Sequence, residues 1–453
     1  MLNPITHSLH NAFFSHPDWP EISQSALGKG GLALYDMQES QRVFFAAALG
    51  KGTGRRVLCL FPSERLARSA FEDAMQFTGG NAVLLPQEER NFLRGATASQ
   101  DNAWQRLKAL DLMLSGHMCL VIASIEALQD HLPSPEWFAS SIITIKPGDA
   151  LEPHHLALQL AALGYERVDL VEGRGQFALR GDILDCFPPY LDTPARIEFF
   201  DVQVDSVRGF DVLTQRSQEP LPSLRIIQAA EHLIPENERE AAVARLLEAL
   251  AIAEQVPDKS GREMLPLGQP PQPFTPPEEE DLLLQGAIHN MAMWANVVYP
   301  PHSLLDWMPD ALVLVDTPDR AMQRLDDNLL GFVEAFKAAF AQGNAGAGQA
   351  GLLRSRDEVL SSLENRSVIA LMALLRGLGG LKPEISIEMR GLGIAPYHSR
   401  PQALVDDLKR WQGADYSVFL FSGGQARGQR LREMLEKNNL RLADEDEQEA
   451  TGI

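Results

Sequence analysis

The chain has 453 residues, 45% of them hydrophobic and 22% charged, with a formal net charge of −21. This is ordinary globular material, long enough for three or four domains at roughly 100–200 residues each. The acidic excess argues against gripping a phosphate backbone, which needs clustered Lys and Arg, and favours protein partners; no apolar run approaches the ~18–20 residues of a membrane span.

The start, MLNPITHSLHNAFF, has neither the charged onset nor the apolar core of a secretory signal. Cys59, Cys119 and Cys186 lie far apart in apolar surroundings, with no metal-ligand spacing and no disulfide framework, which points to a reducing cytoplasmic setting. Residues 1–25 form a polar and aromatic lead-in, helical in part. Leu32 to Tyr35 is a first strand, Val43 to Leu49 a helix and Val57 to Phe61 a second strand. Ser63 is the N-cap of a helix running through Phe77. Asn81 to Leu85 is a strand, Gln105 to Leu114 a helix, Cys119 to Ala123 a strand and Ile125 to Asp130 a helix. This β-then-α alternation predicts an α/β domain with a mainly parallel sheet.

Such a domain binds a nucleotide when a GxxxxGK[ST] loop joins strand to helix. After Leu32 to Tyr35 stands Asp36-Met37-Gln38-Glu39-Ser40-Gln41-Arg42, with no Gly, no Lys and two acids that repel a triphosphate. Gly28-Lys29-Gly30-Gly31 and Gly50-Lys51-Gly52-Thr53-Gly54 lack the spacing and read as turns. Ala311 to Val315 is a buried strand ending in Asp316-Thr317-Pro318-Asp319. A magnesium and water-activating site needs two acids there. Thr317 replaces the second, and Asp316 alone reads as a turn or cap residue. No catalytic, cofactor-binding or metal-ligating residue is expected, and no cofactor in this chain.

Ile142 to Ile145 is a strand, Lys146-Pro147-Gly148 a turn, and Glu152 to Leu163 an amphipathic helix ended by Gly164. His154 and His155 point about 100° apart on that helix and cannot share an ion. The densest strand and turn signals follow, from Gly173 to Ser217. Phe177 and Leu179 alternate with Gln176, Ala178 and Arg180. Gly181-Asp182 is a turn, and Ile183 to Phe187 is a strand stopped by Pro188-Pro189. In Arg196 to Phe200, Ile197 and Phe199 point one way, and Arg196, Glu198 and Phe200 the other. If Ile197 and Phe199 are core, an Arg and a Phe share the outer face, the composition of a binding hot spot. The plainer alternative covers Phe200 with a loop and leaves Arg196 an ordinary surface charge.

Glu236 to Ala253 is an amphipathic helix, 256–280 a Pro- and acid-rich linker, and Leu282 to Trp294 helical. Gly343 to Gly351 is a flexible insertion, and Leu363 to Gly380 is mostly helical. From Glu384 a compact α/β unit follows: a helix Pro401 to Trp411, a strand Ser417 to Ser422, Gly423-Gly424 and a helix Gln425 to Lys437. Asp444 to Glu449 is an acidic tail.

RGQFALRGDILDCFPP, then RIEFFDVQVDSVRGFD, then TQRS resembles the second domain shared by UvrB and the bacterial transcription-repair coupling factors. Asn91-Phe92, Gln105-Arg106-Leu107 and Val121 to Leu128 are similar to the coupling factors' first domain, where the UvrB-like fold has commonly lost its phosphate loop. The likeness runs over nearly the whole chain and is strongest over 81–217. It departs at Asp201-Val202-Gln203, where the family usually turns with Gly or Asp. UvrB keeps its phosphate loop and carries a Tyr-rich hairpin that inserts into DNA. Here Gln87 to Gln100 has Phe92 and no tyrosine.

The resemblance implies a degenerate helicase-like, UvrB-like parallel α/β domain over 1–141 and 236–382. Residues 142–235 would form a small inserted α+β domain that docks on UvrA, and 383–453 a further small α/β domain with the acidic tail. UvrA-docking positions fall on Arg180, Arg196 and Phe200. In the full-length family an RNA-polymerase-binding domain, an ATP- and magnesium-using motor on DNA and a C-terminal domain follow, and none is seen here. RNA polymerase and DNA would be reached through those missing domains, and the C-terminal domain would mask the UvrA-binding face. The expected role is a non-enzymatic module that recruits UvrA to stalled RNA polymerase in nucleotide excision repair. The alternatives are a UvrB-type ATPase that clamps damaged DNA, and a structural relic that binds neither UvrA nor nucleotide.

Overall fold

The computed structural model describes residues 4–28, 30–92, 99–116, 120–234, 236–251, 291–300, 302–391 and, with short gaps, 393–442. The strands are β1 Leu32–Tyr35, β2 Val57–Phe61, β3 Ala82–Leu85, β4 Leu120–Ser124, β5 Ile143–Ile145, β6 Glu166–Arg167, β7 Gln176–Arg180 and β8 Ile183–Cys186. They continue as β9 Ala195–Phe200, β10 Gln203–Phe210, β11 Ser217–Pro220, β12 Leu224–Ile226, β13 Leu312–Asp316, β14 Val368–Leu371 and β15 Ile385–Glu388.

Seven strands form one parallel sheet in the order β15-β1-β14-β13-β2-β4-β3. Its central members, VLCLF, LVIAS and LVLVD, are buried at every position, as apolar runs must be when helices cover both faces. Alternate residues of β2 feed opposite cores. Leu58 and Leu60 pack with the helix Gln100–Ser115, and Val57, Cys59 and Phe61 pack with the helices Glu39–Thr53 and Glu64–Phe77. Ser63 caps the latter, its hydroxyl accepting from the Leu66 N–H at 3.4 Å.

Several expectations change in the structure. Val368–Leu371 is a sheet strand between β1 and β13, not part of a helix. A four-residue apolar run carries no periodicity that separates the two. Gly50 to Thr53 are the last turn of the helix Glu39–Thr53, and only Gly54 turns, at φ 64°. Glycine is tolerated inside that helix because a Cβ on Gly52 would meet Trp19 Cη2 at 2.8 Å and Phe14 Cε1 at 2.9 Å. Ile125–Leu128 is a single 3-10 turn. Residues 347–351 pack instead of looping free. Gln349 is buried, accepting from the Gly346 N–H at 2.9 Å and donating to the Met293 carbonyl at 3.1 Å. Ile385–Glu388 joins the large sheet beside β1. Val418–Leu420 form no strand, and the linker 256–280, most of Leu282 to Trp294 and the acidic tail lie outside the described residues.

The second sheet is mixed, ordered β11-β10-β9-β8-β7-β6, with only β6 and β7 parallel. Its inner face carries Phe177, Leu184, Ile197, Phe199, Val204 and Val207 against Leu156 and Leu160 of the helix Pro153–Ala162. The chain enters and leaves this unit through a narrow neck. There β5 and β12 pair antiparallel, Ile145 opposite Leu224 and Ile143 opposite Ile226.

Candidate functional site

Burial along β9 alternates as the sequence predicts. Ala195, Ile197 and Phe199 are buried, Arg196 and Glu198 half-buried, and Phe200 is 78% exposed. Phe200 is therefore on the outer face, uncovered by any loop among the described residues. It ends β9 at a two-residue hairpin, Asp201-Val202, with Asp201 at φ 57° and Phe200 opposite Gln203. The hairpin tip is anchored from the side. The Leu151 N–H donates to the Val202 carbonyl at 2.7 Å, and the Gly148 N–H to the Val204 carbonyl at 2.8 Å. Ile183, Val202 and Phe200 are exposed apolar side chains of this region.

The ladder sets the arginines. Ala178, Asp185, Arg196 and Arg208 form one cross-strand row, and Arg180, Ile183, Glu198 and Ser206 the next. Arg180, Arg196 and Phe200 thus share one face. Arg196 is not an open cation. Its Nε and Nη2 donate to Asp185 Oδ1 and Oδ2 at 2.7 and 2.9 Å, and its Nη1 to the Gln215 carbonyl at 3.1 Å. Its guanidinium lies 4.9 Å from the Phe210 ring centroid. Arg180 Nη2 donates to the same Asp185 Oδ2 at 2.7 Å and keeps about half of its side chain in solvent (47%). Sequence reasoning missed Asp185 and Arg208. The signal for Asp185 was present: an acid inside ILDCF, two residues from Ile183 on the arginines' face.

At the carboxyl ends of the large sheet, a cavity of about 350 Å³ is lined by Glu39, Arg42, Asp73, Asp316, Asp319 and Arg376, among others. This is where an open α/β sheet places its ligands. Arg42 Nη1 donates to Asp316 Oδ1 and, at 3.1 Å, to Thr317 Oγ1, and both charged side chains are only 7% exposed. Asp316 is thus half of a buried ion pair, not a turn or cap residue, because Arg42 reaches it from the first turns of the facing helix. Burial pushes its carboxyl up, against the pull of Arg42. The helix Glu39–Thr53 closes its own N-terminus, with Gln41 Oε1 accepting from the Gln38 N–H at 2.8 Å. Residues 389–391 lie over the loop before it. The Gly391 N–H donates to the Asp36 carbonyl at 2.8 Å, so close that a Cβ on Gly391 would sit 2.6 Å from that oxygen.

A buried charge network joins the neck to the large domain. Arg106 clasps Glu231 through Nε and Nη2, both at 2.7 Å, and Arg90 Nη2 reaches Glu88 at 2.8 Å and Asp130 at 2.5 Å. His232 Nε2 lies 2.5 Å from Glu88 Oε1. Glu88, Glu231 and His232 bring ligand-type atoms within 4.8 Å of one another. The two arginines already neutralise those carboxylates, so the group is a charge clasp.

The UvrB interaction domain model matches residues 143–232, from β5 through β12 into the clasp. The fold and this match give the class: a parallel α/β unit that carries, between β4 and β13, a stretch similar to the UvrB interaction domain. Within that class, a transcription-repair-coupling factor of Bacillus subtilis is 25% identical over 421 residues, 92% of this chain and 35% of that protein. One of Haemophilus influenzae is 36% identical over 170 residues, 38% of this chain and 15% of that protein. The UvrABC system protein B of Pasteurella multocida is 27% identical over 334 residues, 68% of this chain and 49% of that protein. These matches bear out the resemblance to the N-terminal, UvrB-like region of the transcription-repair-coupling factors. The chain spans about a third of the length of the first of these relatives.

Proposed function

We propose that this chain is a protein-interaction module of transcription-repair coupling. Its inserted domain, 142–235, docks UvrA through Arg180, Arg196 and Phe200, and its α/β domain, 1–141 with 236–382, is a scaffold that uses neither nucleotide nor metal. The observation that carries the reading is Phe200. An aromatic 78% exposed on an anchored hairpin, beside arginines held in place, is a hot spot awaiting a partner. The work is cytoplasmic, the module sits in a larger assembly that supplies RNA polymerase and DNA contacts, and a C-terminal domain masks the docking face until it is needed.

Charge reversal tests it. Arg180→Glu places an acid where the partner expects a cation, and because Arg180 also bonds the buried Asp185 it is compared with wild type only where the two melt alike. Binding to purified UvrA should fall by at least about thirtyfold, some 2 kcal/mol. Unchanged binding contradicts the reading.

The cavity at the strand ends favours a second reading, a UvrB-type ATPase that clamps damaged DNA. The Arg42–Asp316 pair opposes it, because the arginine nearest the strand ends is already paired with a carboxylate, and Glu39, Asp73 and Asp319 in the same lining repel a phosphate. ATP binding detected by calorimetry would revive it.

A further inference from the structure

We infer that Asp185 is a positioning residue of the docking face, and that the partner it serves presents acidic side chains beside an apolar socket. The inference rests on the docking reading above and names what makes the face rigid.

Three arginines crowd this side of the small sheet: Arg180, Arg196 and Arg208. Arg196 and Arg208 stand directly opposite each other on neighbouring strands, an arrangement that repels. Asp185 is the one carboxylate in the row of Arg196 and Arg208, and Glu198 stands in the row of Arg180. Asp185 is fully buried, and both of its oxygens are engaged by two guanidiniums, at 2.7, 2.7 and 2.9 Å. Arg196 approaches with a bidentate fork and is held from other sides by the Gln215 carbonyl and the Phe210 ring. Arg180 has one bond, to Asp185, and its outward donors stay in water. The carboxylate therefore ties a mobile surface arginine to a locked one and fixes the spacing of both.

Ordering a long side chain before binding removes that entropic cost from association. Asp185 and Glu198 together offset two of the three arginine charges on this face, and the outward donors of Arg180 still seek a carboxylate. Phe200 lies one step along the same face and seeks an apolar pocket.

The test is Asp185→Asn, read as separate association and dissociation rates with purified UvrA. The amide keeps the shape but loses the charge, and it leaves Arg180 free to wander. The variant has one more positive charge toward an acidic partner, so its association rate should hold or rise. Its dissociation rate should increase about tenfold, one immobilised side chain's worth. A partial loss of fold would instead lower the amplitude and leave both rates alone. Unchanged dissociation in a variant that melts like wild type overturns the inference.

Where Asp185→Asn does not fold, phenylglyoxal labelling of the wild-type chain decides the clamp. Arg180 and Arg196 should react more slowly than Arg390, whose side chain is 86% exposed. Equal rates overturn the clamp. If wild-type chain fails to bind UvrA, the docking reading falls, and the labelling still judges Asp185 on its own.

Discussion

Asp185 and Arg42 carry a lesson that alternation alone does not teach. A period-two pattern sorts residues into faces, and it placed Arg196, Glu198 and Phe200 together correctly. It says nothing about whether a charged residue on the outer face is open or clamped. Asp185 is completely buried on that face, with Arg196 and Arg180 bonded to both of its oxygens. Asp316 was misread for the same reason: its partner Arg42 lies 274 residues away in sequence. Breaking such a pair leaves one uncompensated buried charge. Arg42→Ala should destabilise the chain by about 3 kcal/mol in urea unfolding, whereas Arg42→Met with Asp316→Leu should be nearly neutral. Equal losses in the single and the double variant would show that shape, not charge, is what the pair contributes.

Among the elements, those with long or alternating patterns were legible: the strands β1 to β4 and β7 to β9, and the helices Glu64–Phe77, Pro153–Ala162 and Gln425–Lys437. Short buried pieces were not. Val368–Leu371 is a strand only because β1 and β13 flank it, a long-range fact. The neck and its clasp were equally invisible, since Arg106, Glu231 and His232 meet only in three dimensions. Their charges make a prediction. Burial alone would lower the His232 imidazole, but Glu88 at 2.5 Å and Glu231 raise it above its usual value, while Arg106 opposes. Arg90, Asp130 and the Tyr299 ring complete its surroundings. Burial would raise Glu88, and His232 and Arg90 instead hold it well below the usual carboxylate range. A histidine raised on folding adds stability that is complete below its unfolded value of 6.5 and is lost as pH rises through the folded one. A depressed glutamate adds stability present above its unfolded value and lost as pH falls. The stability gap between wild type and His232→Gln should therefore be wider near about pH 6 than near about pH 9 in urea unfolding. A gap independent of pH contradicts a charged His232 in the clasp.

At the scale of the molecule, a large scaffold carries a small domain entered and left through two short paired strands, with Arg225 bonded to Asp111 and Tyr190 packed on the large core. The scaffold's own crevice, about 350 Å³, has the Arg42–Asp316 ion pair in its wall. Its acidic charge of −21 disfavours nucleic acid, and no described helix is long and apolar enough to cross a membrane. What stays open is the outer face of the small sheet. The measurement that bears most directly on that account is the affinity of wild type and Phe200→Ala for purified UvrA. Phe200 buries little in the free chain, so its removal should leave the melting curve in place. Binding should weaken at least about thirtyfold, as truncation of a hot-spot aromatic does. Equal affinity for the two proteins, both folded, would place the partner elsewhere and contradict the docking face.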